Sequence, residues 1–234
     1  MKEFFAEVRR QFGPLNQTQV DGFNLLIPAI IRLPIRHQAY ILATVWHEVD
    51  KTMKPIEEYG KGKGKAYGKP TGRYRKIYYG RGLVQLTWLE NYMQADKRLK
   101  ELGLMDKSLD LVKMPDLALN PTLAVHICVL GMTEGWFTKK KLSDYATYKG
   151  MRYVVNGQDD ADLIAGYAEK FERAVLKLST SHDEPVVLPS KPEPIPVPVP
   201  EKKRVSTGVA AAVAAIVAAF IAIVIAMVKG GFSP

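Results

Sequence analysis

Cysteine is nearly absent from this chain. One of its 234 residues is a cysteine, Cys128, so an internal disulfide is excluded. Its apolar setting, LAVHICVLGM, predicts a buried structural thiol rather than a nucleophile. Histidine is scarce and scattered, at positions 37, 47, 126 and 182. His47-Glu48 begins like H-E-x-x-H, but Lys51 stands where the second histidine belongs, which excludes a zinc protease site of that type. There is no G-x-S-x-G nucleophile elbow. Neither glycine-rich phosphate-loop pattern occurs. Acidic residues are in deficit, 24 against 33 Lys and Arg, a net charge of +9. That excess points to an anionic partner: nucleic acid, acidic lipid or an anionic polymer. The first residues, MKEFFAEVRRQFGP, lack the apolar core of a secretory signal, because Glu3, Glu7, Arg9 and Arg10 interrupt it. With 47% hydrophobic and 24% charged residues, general disorder is excluded.

What is present divides into three parts. Residues 1–180 read as one mainly α-helical domain. A helix is expected over Ile35–Asp50, where Ile41, Leu42, Val45 and Trp46 have helical spacing. A second is expected from about Thr87 to a stop at Gly103. A third opens at Asn120-Pro121, with asparagine as cap and proline at the first helical position. A fourth covers about Asp159–Leu178. The last two should each present an apolar face to a core. Between the first two, from Tyr59 to Arg81, lies GKGKGKAYGKPTGRYRK, too rich in glycine and lysine for a helix and expected to be an exposed loop or hairpin. Lys51–Arg81 holds ten Lys or Arg against Glu57 and Glu58. The loop is either a solvated surface or a contact for an anionic polymer.

Residues 181–204 form a linker, with seven prolines between Pro185 and Pro200 and a basic end at Lys202-Lys203-Arg204. Alternating proline predicts a polyproline-II spacer of roughly 50 Å. Residues 205–234 form the last part. Val209–Val228 carries no polar side chain and is long enough, at about 30 Å, to span a hydrocarbon core as a transmembrane helix. Alanines at 210, 214, 218, 222 and 226 form a small-residue stripe, or reflect only an abundance of alanine.

With thiol, metal and serine chemistry set aside, carboxylates remain. Glu48 follows Val45 by three residues and Ile41 by seven, which puts it on or beside an apolar face. It also falls in the last turn of its helix, where the dipole disfavours a negative charge. Desolvation and dipole both favour the protonated form, as a general acid requires; alternatively Glu48 is a solvated helix-end residue. Glu57-Glu58 supplies a second acidic pair beside the loop. Two carboxylates from adjoining elements are what glycosidic hydrolysis needs.

Three segments strengthen this reading. YYGRGLVQLTWLENY, residues 78–92, resembles the signature of the glycoside hydrolase family 19 chitinases and their lysozyme-like phage relatives. AYILATVWHEVDKTMKPIEEYG, residues 39–60, resembles the segment with that family's first catalytic glutamate, especially in phage endolysins. RYVVNGQDDADLIAGYAEKF, residues 152–171, is similar to the family's late Asn-Gly motif. Together they cover about residues 35–178, in family order. The resemblance implies a lysozyme-like fold of two helical lobes around a cleft. It implies an inverting mechanism with Glu48 as general acid and Glu58 as base, Glu57 being the alternate. It assigns Thr87 to the attacking water and Gln85, Asn91 and Asn156 to sugar binding. Tyr78, Tyr79 and Trp88 are expected to offer ring faces to sugars or to pack in the core.

The function expected is cleavage of β-1,4 bonds in peptidoglycan by an endolysin-like enzyme of a phage or prophage in a bacterial host. The alternatives are a chitinase, or a catalytically silent, membrane-anchored wall-binding protein. No cofactor, metal or nucleic-acid partner is expected. The basic flank at Lys202–Arg204 outweighs Lys229, which places the catalytic domain on the cytoplasmic side of the membrane: either it is stored there until lysis, or the tail enters a membrane, such as an outer membrane, only after release.

Overall fold

The computed structural model describes residues 1–179. The linker and the apolar run at 209–228 lie outside the described residues. Among those described, no helix is long and apolar enough to cross a membrane.

The fold is mainly helical. In chain order it comprises α1 (Lys2–Phe12), α2 (Gln17–Ile30), α3 (Ile35–Glu48), β1 (Ile56–Glu57), β2 (Arg81–Gly82), α4 (Leu89–Glu101), α5 (Pro121–Glu134), α6 (Tyr148–Met151) and α7 (Ala161–Ser179). The two short strands pair antiparallel, Ile56 opposite Gly82 and Glu57 opposite Arg81. Short 3-10 turns lie between the longer elements, as at Pro115–Leu119.

The expected helices are present, with differences at the edges. α4 begins at Leu89, because Trp88 takes a left-handed backbone (φ 69°) that no helix can include. α5 starts where the cap and proline predict it: Asn120 Oδ1 accepts the Leu123 amide at 3.1 Å, and Gly135 ends it in the left-handed conformation. α5 does not present one apolar face. Leu123, Ala124, Val125, Ile127, Cys128, Val129 and Met132 are all buried, so the helix is enclosed on most sides. α7 keeps to one face, with Ile164, Ala168, Phe171, Val175 and Leu178 buried at helical spacing. Cys128 is fully buried, and burial pushes its thiol up, away from thiolate chemistry.

Two N-terminal helices complete the core. Asn16 and Gln19 form a reciprocal capping box at the start of α2. Gly22 in α2 lies against Met53: a Cβ there would meet the Met53 carbonyl oxygen at 2.2 Å. An apparent helix breaker is therefore a packing requirement. Phe4, Phe23, Trp46 and Phe171 gather α1, α2, α3 and α7 into one aromatic cluster. This packing fixes the axis, and hence the C-terminal end, of α3.

Candidate active site

Glu48 is the last residue of α3. Tyr40, Thr44 and Glu48 succeed one another at four-residue spacing, so they share a helix face. Tyr40 and Thr44 are fully buried, and burial pushes the Tyr40 hydroxyl up to about 12. Glu48 itself keeps 16% of its side chain exposed. Just past it the chain reverses. Asp50, Lys51 and Met53 all have positive φ, a conformation that is costly for residues with a Cβ and clusters at functional sites. Neighbours hold the turn in place: Lys51 donates its amide to Trp46 O at 2.7 Å. Gln19 donates to Lys51 O at 2.9 Å, and Thr52 donates to Val49 O at 2.7 Å.

Arg152 meets Glu48 here, from 104 residues further along the chain. Its Nη1 lies 2.7 Å from Glu48 Oε1, and its own side chain is 3% exposed. Its Nε donates to Asp159 O at 2.9 Å, and its carbonyl accepts the Asn156 amide at 3.1 Å. Among the described residues Glu48 Oε2 has no hydrogen-bond partner. Sequence order puts desolvation and a helix dipole around Glu48 and conceals this third influence. The cue to Arg152 is a lone arginine between the apolar Met151 and Val154 in a segment that resembles a family motif.

Asn156 lies in the adjoining loop, exposed, its Oδ1 accepting the Gly157 amide at 2.8 Å. His47 Nε2 lies 3.5 Å from Asp160, a second link from the end of α3 to that loop. Glu48 and Asn156 are thus brought together through Arg152.

A second group assembles around the β1–β2 pair. Glu57 Oε1 accepts the Tyr79 hydroxyl at 2.5 Å, and its Oε2 pairs with Lys61 at 2.9 Å. The Tyr79 hydrogen bond, followed by that from Lys61, holds the Glu57 carboxyl below its ordinary value. Glu58 Oε1 accepts the Tyr67 hydroxyl at 3.0 Å, and Oε2 accepts the Gly80 amide at 3.1 Å. Burial, then the bond to Glu58, raises the Tyr67 hydroxyl. Tyr67 also sets its ring edge-on to Trp88, centroids 5.4 Å apart. Tyr67 and Lys61 are further residues that the motifs do not reveal.

The segment 80–88 is built around strain. Gln85 (φ 53°) and Trp88 (φ 69°) both sit in the left-handed region, on either side of half-buried Thr87. Gly80 packs closely on Gln85: a Cβ there would lie 2.7 Å from Oε1 and 3.1 Å from the glutamine Cβ, so the side chain would have to shift. Gln85 Nε2 approaches Ile56 O and Gly82 O, each at 3.4 Å. Asn91 is half-buried in the first turn of α4.

The three aromatic residues separate cleanly. Tyr78 is fully buried and bonds Val112 O at 2.9 Å, so it packs in the core. Tyr79 is 8% exposed, with the Arg81 guanidinium 3.6 Å from its ring centroid. Arg81 is held in turn by Asp116 and the Tyr92 hydroxyl. Only Trp88, 46% exposed, has a ring open to a ligand.

No family model matches the sequence, and no curated protein matches it. Solved structures do match in fold. Chitinase C from Streptomyces griseus HUT6037 gives a TM-score of 0.50 at 20% identity, over 73% of this chain and 75% of that one. A bacterial family 19 chitinase gives 0.51 at 21% identity, over 73% and 93%. A family GH19, class IV chitinase from Zea mays gives 0.51 at 16% identity, over 75% and 92%. Residues 1–179 therefore have the fold seen in family 19 chitinases, the lysozyme-like helical architecture.

Proposed function

We propose that this protein is an inverting glycoside hydrolase that cleaves β-1,4 bonds in the glycan strands of peptidoglycan, as a phage-type endolysin. One observation carries the reading: two carboxylates on different elements are each gripped by dedicated donors, Glu48 by Arg152 and Glu58 by Tyr67 and the Gly80 amide.

In this mechanism Glu48 is the general acid. Arg152 fixes Oε1, and Oε2 carries the proton to the leaving oxygen. Glu58 is the base that takes a proton from water, and the Thr87 hydroxyl orients that water. Glu58 suits the base better than Glu57, because Lys61 and Tyr79 hold Glu57 as a stabilised anion of low basicity. Gln85, Asn91 and Asn156 bind sugar hydroxyls, since amides both donate and accept. Trp88 stacks on a sugar ring, and Tyr79 acts through Glu57.

Chitin is the second reading, favoured by the chitinases that share the fold. The net charge of +9 favours the anionic wall polymer over the neutral one. Digested peptidoglycan, analysed by mass and by NMR of the first anomer formed, tests the proposal. New reducing ends of inverted configuration support it. A retained anomer removes the water-holding role of Thr87, and turnover of colloidal chitin alone selects the second reading.

The apolar run at 209–228 is proposed to anchor the enzyme in a membrane, with the catalytic domain on the cytoplasmic side until lysis. Full-length protein should then sediment with membranes in high salt, and a chain ending at Ser181 should be soluble and cleave purified peptidoglycan at a similar rate. Full-length protein in the soluble fraction would overturn the anchor.

A further inference from the structure

The loop between Glu58 and β2 has a construction that the proposed chemistry does not use. No acidic residue occurs between Glu58 and Glu90, while lysines stand at 61, 63, 65, 69 and 76 and arginines at 73, 75 and 81. Lys61 is taken by Glu57, Arg73 by Asp110 and Arg81 by Asp116. Lys63, Lys65 and Lys69 are exposed and have no acidic partner among the described residues.

The loop is nonetheless closely built. Gly62 and Gly68 cross at its neck, where a Cβ on Gly68 would lie 1.7 Å from Gly62 O. Successive turns bond Lys63 N to Gly60 O, Lys65 N to Gly62 O and Gly68 N to Lys65 O, at 2.8 to 3.0 Å. Positive φ at Lys61, Gly62 and Gly64 gives the tip its tight path. Tyr67 fastens the loop to Glu58 and Trp88. Unpaired like charges two residues apart repel one another, and an anion relieves that repulsion. The loop thus presents exposed cations on a well-held backbone, next to the residues assigned to sugar cleavage.

We propose that Lys63 and Lys65, with Lys69 at the foot of the loop, bind carboxylates of the stem peptides that branch from the glycan strand, and so select the charged polymer. This rests on the reading of the site as a peptidoglycan hydrolase and names the part of the substrate that the loop meets. The stem carboxylates are preferred over other anions because they belong to the same strand that would lie against Glu58 and Trp88. Exposed ion pairs of this kind are weak singly and sensitive to salt. They should act on KM and leave kcat nearly unchanged.

The test uses full-length protein in mild detergent, as wild type, as the Lys63→Glu/Lys65→Glu double variant, and as Lys63→Arg/Lys65→Arg. The substrates are purified peptidoglycan, the same material with its carboxylates converted to amides, and neutral chitin oligomers. Cleavage rate and co-sedimentation are both read. On native peptidoglycan the charge reversal should weaken binding and raise KM about tenfold. The arginine pair should restore both, and the difference should vanish on amidated material and on chitin oligomers. Equal losses on native and amidated material, or no loss on either, overturn the proposal. Binding that follows wall phosphate polymers and ignores amidation overturns it as well, by assigning the loop to phosphate. If no polymer is cleaved, the reading of the catalytic site fails, while co-sedimentation still decides the role of the loop.

Discussion

The two carboxylate centres are held by opposite strategies. Glu48 depends on a partner 104 residues away and on the helix packing that brings α3 and its neighbours together. Glu58 depends on Tyr67, nine residues on, and on the Gly80 amide across the β1–β2 hairpin. One centre is set by the core, the other by local backbone geometry. The lesson is that a single fold can make one functional group insensitive to surface change and leave the other adjustable. Positive φ marks the chain near both centres: at 50, 51 and 53 after Glu48, and at 85 and 88 on either side of Thr87.

This contrast can be broken or sharpened by substitution. Glu48→Gln and Glu58→Gln should each lower the cleavage rate about 10²–10⁴-fold, with melting temperature little changed. Wild-type-like activity in either folded variant would remove its residue from the mechanism. Arg152→Ala should cost about 3 kcal/mol in chemical denaturation, the low end for a broken buried pair because Glu48 retains some solvent contact. A cost below about 1 kcal/mol would show that the core does not rely on the pair. Gly68→Ala should force the loop neck apart at about 1–3 kcal/mol of local strain. Hydrogen exchange should show the opening confined to residues 58–76, with reduced activity and a smaller change in global stability than for Arg152→Ala. Spread of the opening into α3 would argue that the two centres are one unit.

The smallest effects fall on Glu57. Glu57→Gln should retain most activity, and Tyr79→Phe should move the Glu57 titration upward toward the ordinary carboxylate range, as read by NMR. The sign follows from the direction of the shift. A folded-state value below the unfolded one stabilises the protein above the unfolded value, and that stabilisation is lost as pH falls through the folded value. An unmoved titration in Tyr79→Phe would leave the two cations, Lys61 and then Arg81, as the cause.

Much of the helical frame was legible because it is written in local chemistry. Asn120-Pro121 announces the start of α5, and the spacing of Ile164, Ala168, Phe171 and Val175 announces the buried face of α7. α2 is not among the helices expected from sequence; it contains Gly22 and Pro28, and the contact with Met53 accounts for the glycine. The carboxylates could be placed from their motif and their helix position. Their partners could not: Arg152 and Tyr67 reach Glu48 and Glu58 through tertiary geometry, which periodicity does not encode. The fate of the aromatic run was equally hidden. Tyr78 and Trp88 sit ten residues apart in one motif, yet one is sealed in the core and the other faces solvent.

The span of the Glu48–Arg152 bridge also sets when the site can exist. During synthesis the first half of the chain carries both carboxylates, but the cation that orients Glu48 emerges more than a hundred residues after it. α7, which packs against α3, comes later still. Contacts so distant in sequence close late in folding. An unfinished or C-terminally clipped chain therefore presents Glu48 without the guanidinium that orients it, so that the arrangement proposed for catalysis forms only once Arg152 and α7 have been made.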